Sequence, residues 1–122
     1  MDPEAALPHG TSPAHLQDPQ RFDDLLDALS HRYRRYVLVR LTASDSPIAL
    51  ADLATEIAAW HARSGADDSP PESEEVYLSL VHVHVPKLVD VGAVDIDSDR
   101  NCVTLRRDGS WTTMNELLDR MQ

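Results

Sequence analysis

The chain has 122 residues, of which 42% are hydrophobic, so it can bury one modest core and we expect a single small domain. Acidic residues outnumber basic ones by 21 to 11, and no apolar run approaches the roughly 18 residues of a membrane span, which excludes a transmembrane protein. The single cysteine, Cys102, cannot form an internal disulfide, and the acidic, Pro-rich N-terminus lacks a signal segment; both predict a cytoplasmic protein.

The choice of charged residues indicates the class of organism. Lys87 is the single lysine among the 11 basic residues, and the net charge is −10. An acidic, lysine-poor chain resembles the proteins of haloarchaea that hold molar salt in the cytoplasm; an acidic protein from a GC-rich genome is the alternative. In molar salt the Debye length falls to about 3 Å, so an acidic surface does not forbid contact with DNA, although phosphate contacts weaken too.

The first half of the chain predicts a tail and two or three helices. Residues 1–20 contain four prolines and no periodicity, which predicts a disordered tail. Apolar spacing then predicts a short helix to about residue 29 and a longer one over 31–43, with Ser30 between them. "SPIALADLATEIAAWHAR" is a further amphipathic helix, and the acidic, breaker-rich "SGADDSPPESEE" after it is a loop.

"LVHVHVPKLVDVGAVDID", residues 80–97, has two interpretations. A strand would place His82 and His84 on one face as a metal-binding pair. A helix over about 74–91 would align Val81, Val85 and Leu88 and end at Gly92. We favour the helix because no turn precedes the run and a proline at 86 would remove a ladder donor, although it costs a helix one bond as well.

That choice removes the metal pair, since residues i and i+2 lie about 200° apart on a helix. After Gly92, apolar and polar residues alternate in two short runs, the first with Val94 and Ile96 and the second with Val103 and Leu105. The turn residues "DSDRN" separate the runs, so the pattern predicts a β-hairpin. "GSWTTMNELLDRMQ" predicts a terminal helix with a capping box from Thr113 to Glu116. The predicted fold is mainly α with a small β-hairpin, in the order of a winged helix-turn-helix, with the domain over 21–108 and the last helix over 109–122.

Three stretches also resemble a known family. "ALSHRYRRYVLVRL" resembles the first-helix signature of ArsR-like regulators, "IALADLATEIA" their second helix, and "VHVHVPKLVDVGAVDID" their recognition helix. Residues 22–106 are similar to a haloarchaeal winged helix-turn-helix domain family of unknown function. The resemblance implies a homodimeric transcriptional regulator whose third helix enters the major groove of double-stranded DNA.

The candidate site residues follow from this resemblance. The third helix would contact DNA through Ser79, His82, Val83 and Lys87, the wing through Arg100 and Asn101, and the phosphates through Arg32 and Arg35. The dimer interface would use Phe22, Leu25, Leu26, Trp111, Leu117, Leu118 and Met121.

Two other functions stay open. The apolar and acidic outer face of the third helix and the long acidic loop favour a winged-helix module that binds a protein instead of DNA. A small-molecule sensor is less favoured because no pocket is evident in the sequence. We find no phosphate loop, nucleophile motif or carboxylate constellation, so we expect neither an enzyme nor a bound cofactor or metal.

Overall fold

The computed structural model describes residues 19–65, 69, 71–108 and 111–121. Its elements, in chain order, are α1 (Pro19–Ala28), α2 (Arg32–Thr42), β1 (Ile48–Ala49), α3 (Leu50–Arg63), α4 (Ser73–Ser79), a π-helical segment (Leu80–His84), α5 (Val85–Asp90), β2 (Val94–Asp97), β3 (Cys102–Leu105) and α6 (Trp111–Met121). α4, the π segment and α5 follow one another without a gap, so residues 73–90 form one continuous helix. We call it the third helix because it occupies the place of the third helix of the predicted motif, after α2 and α3. The mainly α fold with a small hairpin is confirmed. Of the predicted tail, 1–18 lies outside the described residues, whereas Pro19 and Gln20 begin α1.

The predicted break near Ser30 is confirmed, and its side-chain bonds explain it. The Ser30 hydroxyl donates to the carbonyl oxygen of Asp27 at 2.6 Å, which helps to end α1. His31 is then the N-cap of α2, where its Nδ1 accepts the backbone N–H of Tyr33 at 3.0 Å. A side-chain acceptor at this position satisfies one of the unpaired N–H groups of the first helical turn.

The sheet contains one strand that the sequence did not indicate. The predicted hairpin is confirmed, with Val94 opposite Leu105 and Ile96 opposite Val103. Ile48–Ala49, assigned to the start of a helix, instead pairs antiparallel with β3, so the strand order is β1-β3-β2. The backbone N–H of Leu50 donates to the Asn101 carbonyl at 2.8 Å, which fastens the start of α3 to the hairpin.

The π segment shifts the buried face of the third helix. The backbone N–H of Val85 donates to the carbonyl of Leu80, five residues earlier. Leu80 and Val85 are therefore both buried, followed by Leu88, whereas Val81 is half-buried. The predicted row of Val81, Val85 and Leu88 lies against the core, but Val81 is only partly buried and Leu80 is the fully buried residue beside it, because the wider turn contains one more residue than an α-helical turn.

A Schellman motif ends the third helix. Gly92 has φ 77°, its N–H bonds the Val89 carbonyl at 2.9 Å, and the N–H of Ala93 bonds the Leu88 carbonyl at 2.9 Å. These are the two bonds that define the motif, and the left-handed residue within it favours glycine. The predicted stop at Gly92 is confirmed, and the turn leads directly into β2.

The core draws on every helix and on the sheet. Its fully buried large side chains are Leu25, Leu29, Val37, Leu38, Leu41, Leu50, Leu53, Ile57, Val76, Leu80, Leu88 and Met114. α6 contributes Met114 and Leu118 together with a buried Thr113. The capping box predicted from Thr113 was wrong, because α6 begins two residues earlier, at Trp111.

Candidate nucleic-acid interface

The tip of the β-hairpin presents an arginine to solvent. The Asp97 carboxylate accepts the backbone N–H groups of Asp99 and Arg100 at 3.1 and 3.3 Å, which fixes the turn. Asn101 follows with φ 52°, a left-handed conformation that asparagine tolerates better than most residues. The Arg100 side chain is exposed and has no side-chain partner among the described residues, so its guanidinium is available to an anionic ligand.

The base of the hairpin holds two further arginines that are already engaged. Arg106 lies 3.1 Å from the Asp108 carboxylate and 3.8 Å from that of Asp95. The hydrogen bond with Asp108, then its charge and that of Asp95, raises the pKa of Arg106. Arg107 lies over the Trp111 ring, with 5.2 Å from its guanidinium carbon to the ring centroid. The hairpin thus offers one uncommitted cation, at its tip.

The third helix presents a different surface. His82, Val83 and Lys87 line a groove of about 470 Å³ against α1, together with the carboxylates of Asp24, Asp27 and Asp90. Ser79 is half-buried and does not line this groove.

Lys87 is engaged within the groove. It forms an ion pair with Asp27, and their hydrogen bond, then the lysine charge, lowers the pKa of the Asp27 carboxyl. Three of the four predicted base-contacting residues therefore lie beside three carboxylates, and the lysine among them is paired.

The two arginines predicted to contact phosphate lie away from the hairpin. Nη2 of Arg32 lies 2.9 Å from Nε2 of His61, and its guanidinium carbon lies 5.8 Å from the Trp60 ring centroid. Arg35 donates to the Leu29 carbonyl at 2.8 Å. Trp60 and His61 belong to the last turn of α3, whereas Leu50, its first residue, bonds Asn101 of the hairpin. The 14 residues of α3 span about 20 Å, so the two sets of arginines serve separate surfaces.

A buried polar cluster beneath these surfaces was not anticipated. Arg34 is 6% exposed, and it donates from Nε to the Ala28 carbonyl at 2.6 Å and from Nη2 to the Asp27 carbonyl at 3.1 Å. Its Nη1 lies 3.0 Å from Nδ1 of His84, whose ring centroid is 4.2 Å from that of His31. The sequence signals this cluster only as a density of basic and aromatic residues in "HRYRRY".

Both histidines of this cluster are acceptors. Burial, then the charges of His31 and Arg34, lowers the pKa of His84 to about 4. Burial, followed by the charges of the neighbouring arginines, also lowers the pKa of His31. Neutral rings with an unprotonated Nδ1 suit the bonds that they accept from Arg34 and from the Tyr33 N–H. Over the described ranges, no three His, Cys, Asp or Glu side chains are grouped to hold a metal ion.

The predicted dimer residues divide by exposure. Leu25 and Leu118 are 0% and 2% exposed, so they belong to the core of the chain and leave no surface for a partner. The exposed or half-buried members are Phe22, Leu26, Trp111, Leu117 and Met121.

Comparisons with known proteins identify a family but no characterised relative. Within the part of the chain that the structure describes, no helix combines the length and apolarity needed to cross a bilayer. Neither the curated proteins nor the solved structures gave a match. A family model described as a domain of unknown function, DUF7344, matches residues 26–104. That match runs from the last turn of α1 into β3 and covers more than half of the 122 residues, and the chain therefore belongs to the DUF7344 family.

Proposed function

We propose that the chain is a winged helix-turn-helix transcriptional regulator that binds double-stranded DNA as a homodimer in the cytoplasm. The order α2, β1, α3, third helix, β2, β3 supports this proposal. The sheet supports it as well, because β1, the strand between α2 and α3, pairs with β3, the second strand of the hairpin. The observation that carries the proposal is the hairpin tip, where Arg100 has no side-chain partner among the described residues and the neighbouring Asn101 is bonded to the first residue of α3.

The proposed mode of binding relies on the wing more than on base edges. Arg100 would contact a phosphate or enter the minor groove, as arginines at hairpin tips do. The exposed third helix offers His82 but no unpaired arginine or lysine, and those are the side chains that most often contact guanine. Sequence preference would then come mainly from the shape and deformability of the DNA.

The test is DNA binding at 1–3 M KCl, first with genomic fragments and then with random duplexes. Arg100→Ala should weaken binding about tenfold and reduce the slope of log K against log salt by about one, because one phosphate contact is lost. Arg120→Ala is the matched control, since it removes an equal charge from the last turn of α6. Equal affinity of the two variants would contradict the proposed role of the wing.

A second candidate function is a protein-binding module. Its support is the outer side of the third helix, where Leu78 and Val83 are 50% and 52% exposed. Large apolar side chains at such exposure often belong to a surface that a partner covers.

The two functions predict opposite results for one pair of variants. Leu78→Ser should release a protein partner if the chain is a protein-binding module, and it should leave DNA affinity unchanged if the chain is a DNA-binding regulator. Ile96→Ser, at 41% exposure on the hairpin, is the matched control. No DNA binding by the wild-type chain at any salt, together with a partner complex that Leu78→Ser alone dissolves, would replace the first proposal by the second.

A further inference from the structure

A second groove, of about 360 Å³, lies between α2, the last turn of α3 and the end of α6. Its lining residues are Arg32, Arg35, Tyr36, Val39, Trp60 and Met121. We call it the α2–α6 groove. Its volume lies at the lower end of the range of small-molecule sites in proteins, so one or two rings would fit it.

The charge of this groove differs from that of the chain. The net charge is −10, yet the two ionised side chains that line the groove are arginines. Among the described residues neither Arg32 nor Arg35 pairs with a carboxylate, whereas Arg40, Lys87 and Arg106 each do. Two uncompensated guanidinium groups in one groove are complementary to an anion, and their planar donors suit carboxylate or phosphate oxygens.

The remaining walls are aromatic and apolar. The ring centroids of Tyr36 and Trp60 are 5.2 Å apart at an interplanar angle of 41°, which leaves a bent aromatic surface. Val39 and Met121 are 37% and 44% exposed and provide apolar side chains beside the charges. A flat ring can pack on such a surface while an anionic substituent reaches the arginines.

We infer that the α2–α6 groove binds a small planar aromatic anion, that is, one or two fused rings bearing a carboxylate or a phosphate. The ring packs on Trp60 and Tyr36, and the anion accepts hydrogen bonds from Arg32 and Arg35. This site is independent of the proposed DNA contact, because Arg100 lies at the opposite end of α3. Failure of one proposal therefore leaves the other standing.

The first experiment compares matched small molecules by the NMR signals of the two tryptophan indole N–H groups, with Trp111→Phe used to assign them. At 2 M KCl, 2-naphthoate or adenosine 5′-monophosphate should shift the Trp60 signal, and the better of the two identifies a carboxylate or a phosphate ligand. The uncharged 2-naphthalenemethanol and the non-aromatic cyclohexanecarboxylate should each bind at least about tenfold more weakly. Equal binding of the alcohol would overturn the role of the arginines.

The second experiment uses variants. Met121→Glu places a carboxylate at the mouth of the groove on an exposed side chain, so it should weaken 2-naphthoate binding at least about tenfold while the fold is kept. Met121→Gln is the size-matched control and should retain the wild-type affinity.

Arg35→Gln should weaken binding about fivefold, and Arg21→Gln, on α1, should leave it unchanged. Unaltered binding by Met121→Glu would overturn the inference. A single-stranded oligonucleotide that binds more tightly than the mononucleotide and shifts the same signal would replace the small anion by nucleic acid.

Discussion

Arg34 connects three helices from a buried position in α2. Its guanidinium donates to the last carbonyls of α1 and to His84 of the third helix. A cation at a helix C-terminus also interacts favourably with the helix dipole. Arg34 is thus a structural residue, and its charge adds to the effects of burial and of His31 in lowering the pKa of His84, so that this ring stays neutral as an acceptor.

The first prediction concerns the pH dependence of stability. Unfolded His84 takes up a proton near pH 6.5 and the folded residue near 4, so the unfolded chain binds more protons between these values. The free energy of unfolding should therefore fall as the pH falls from 6.5 to 4, by about 3 kcal/mol from this residue alone. Urea titrations at intervals of half a pH unit measure it.

His84→Asn should flatten this dependence, because an amide oxygen can accept from Arg34 without titrating. His82→Asn, an identical change at an exposed histidine of the same π segment, is the control and should keep the wild-type slope. Parallel slopes for both variants would show that His84 does not carry the effect.

At the scale of single elements, the Schellman turn at Gly92 sets the path from the third helix into β2. Gly92→Ala should lower the free energy of unfolding by about 1–2 kcal/mol, since alanine is strained at φ 77°. The expected loss of stability comes from backbone strain and not from a steric clash, because the nearest atom to an added Cβ, Nη2 of Arg21, is 3.9 Å away. Chemical denaturation measures the loss.

Gly92→Asn is the companion variant. Asparagine adopts the left-handed conformation more readily than alanine, so this variant should lose less stability. An alanine variant as stable as the wild type would mean that the turn relaxes to another conformation.

The elements with a local signal were predictable, and those fixed by distant contacts were not. The hairpin and the Gly92 stop follow from alternation and turn residues within a few positions. β1 did not, because two residues carry no periodicity and their partners in β3 lie more than 50 positions later. The π segment was missed because a period of 3.6 residues cannot represent a turn with one residue more.

The candidate sites show the same division. The exposure of Arg100 was predictable because the residues at the tip of a hairpin face solvent. The roles of Arg34 and Arg35 as donors to carbonyls at the end of α1 and just after it were not, since only the folded chain brings those carbonyls near the two guanidinium groups. The α2–α6 groove was also invisible, because its six residues come from three separate segments.

At the scale of the whole molecule, the proposed dimer would rest on a few exposed or half-buried apolar residues. Leu26 is 36% exposed, and the predicted interface also contains the half-buried Phe22 and Leu117. Leu26→Glu should convert a dimer into a monomer in sedimentation equilibrium, because a buried unpaired charge is costly.

The control for this experiment is Leu78→Glu. Leu78 is exposed to 50% on the third helix, outside the proposed interface, so its replacement should leave the dimer intact. A wild-type chain that is monomeric at every concentration would remove the homodimer from the proposal.

The net charge of −10 predicts a dependence of stability on salt. Raising KCl from 0.1 to 1 M shortens the Debye length from about 10 to about 3 Å and weakens repulsion among the carboxylates. We expect the Tm to rise by about 5 °C or more over this range, as measured by circular dichroism.

A single variant tests the cause of that rise. Asp90→Asn removes one of the three carboxylates of the groove between α1 and the third helix, so it should stabilise the chain more in 0.1 M than in 1 M KCl. A gain that is equal at both concentrations would point to the helix end instead of the charge balance.

The π segment has an evolutionary consequence. It behaves as a one-residue insertion that a helix has absorbed without a loop, because the positions on either side keep their buried faces. Family members with one residue fewer between Leu80 and Val85 would retain the same core through an ordinary α-helix. A single gap in a family alignment therefore belongs inside this helix. An alignment without the gap would match residues in one half of the helix to positions about 100° away around the helix axis.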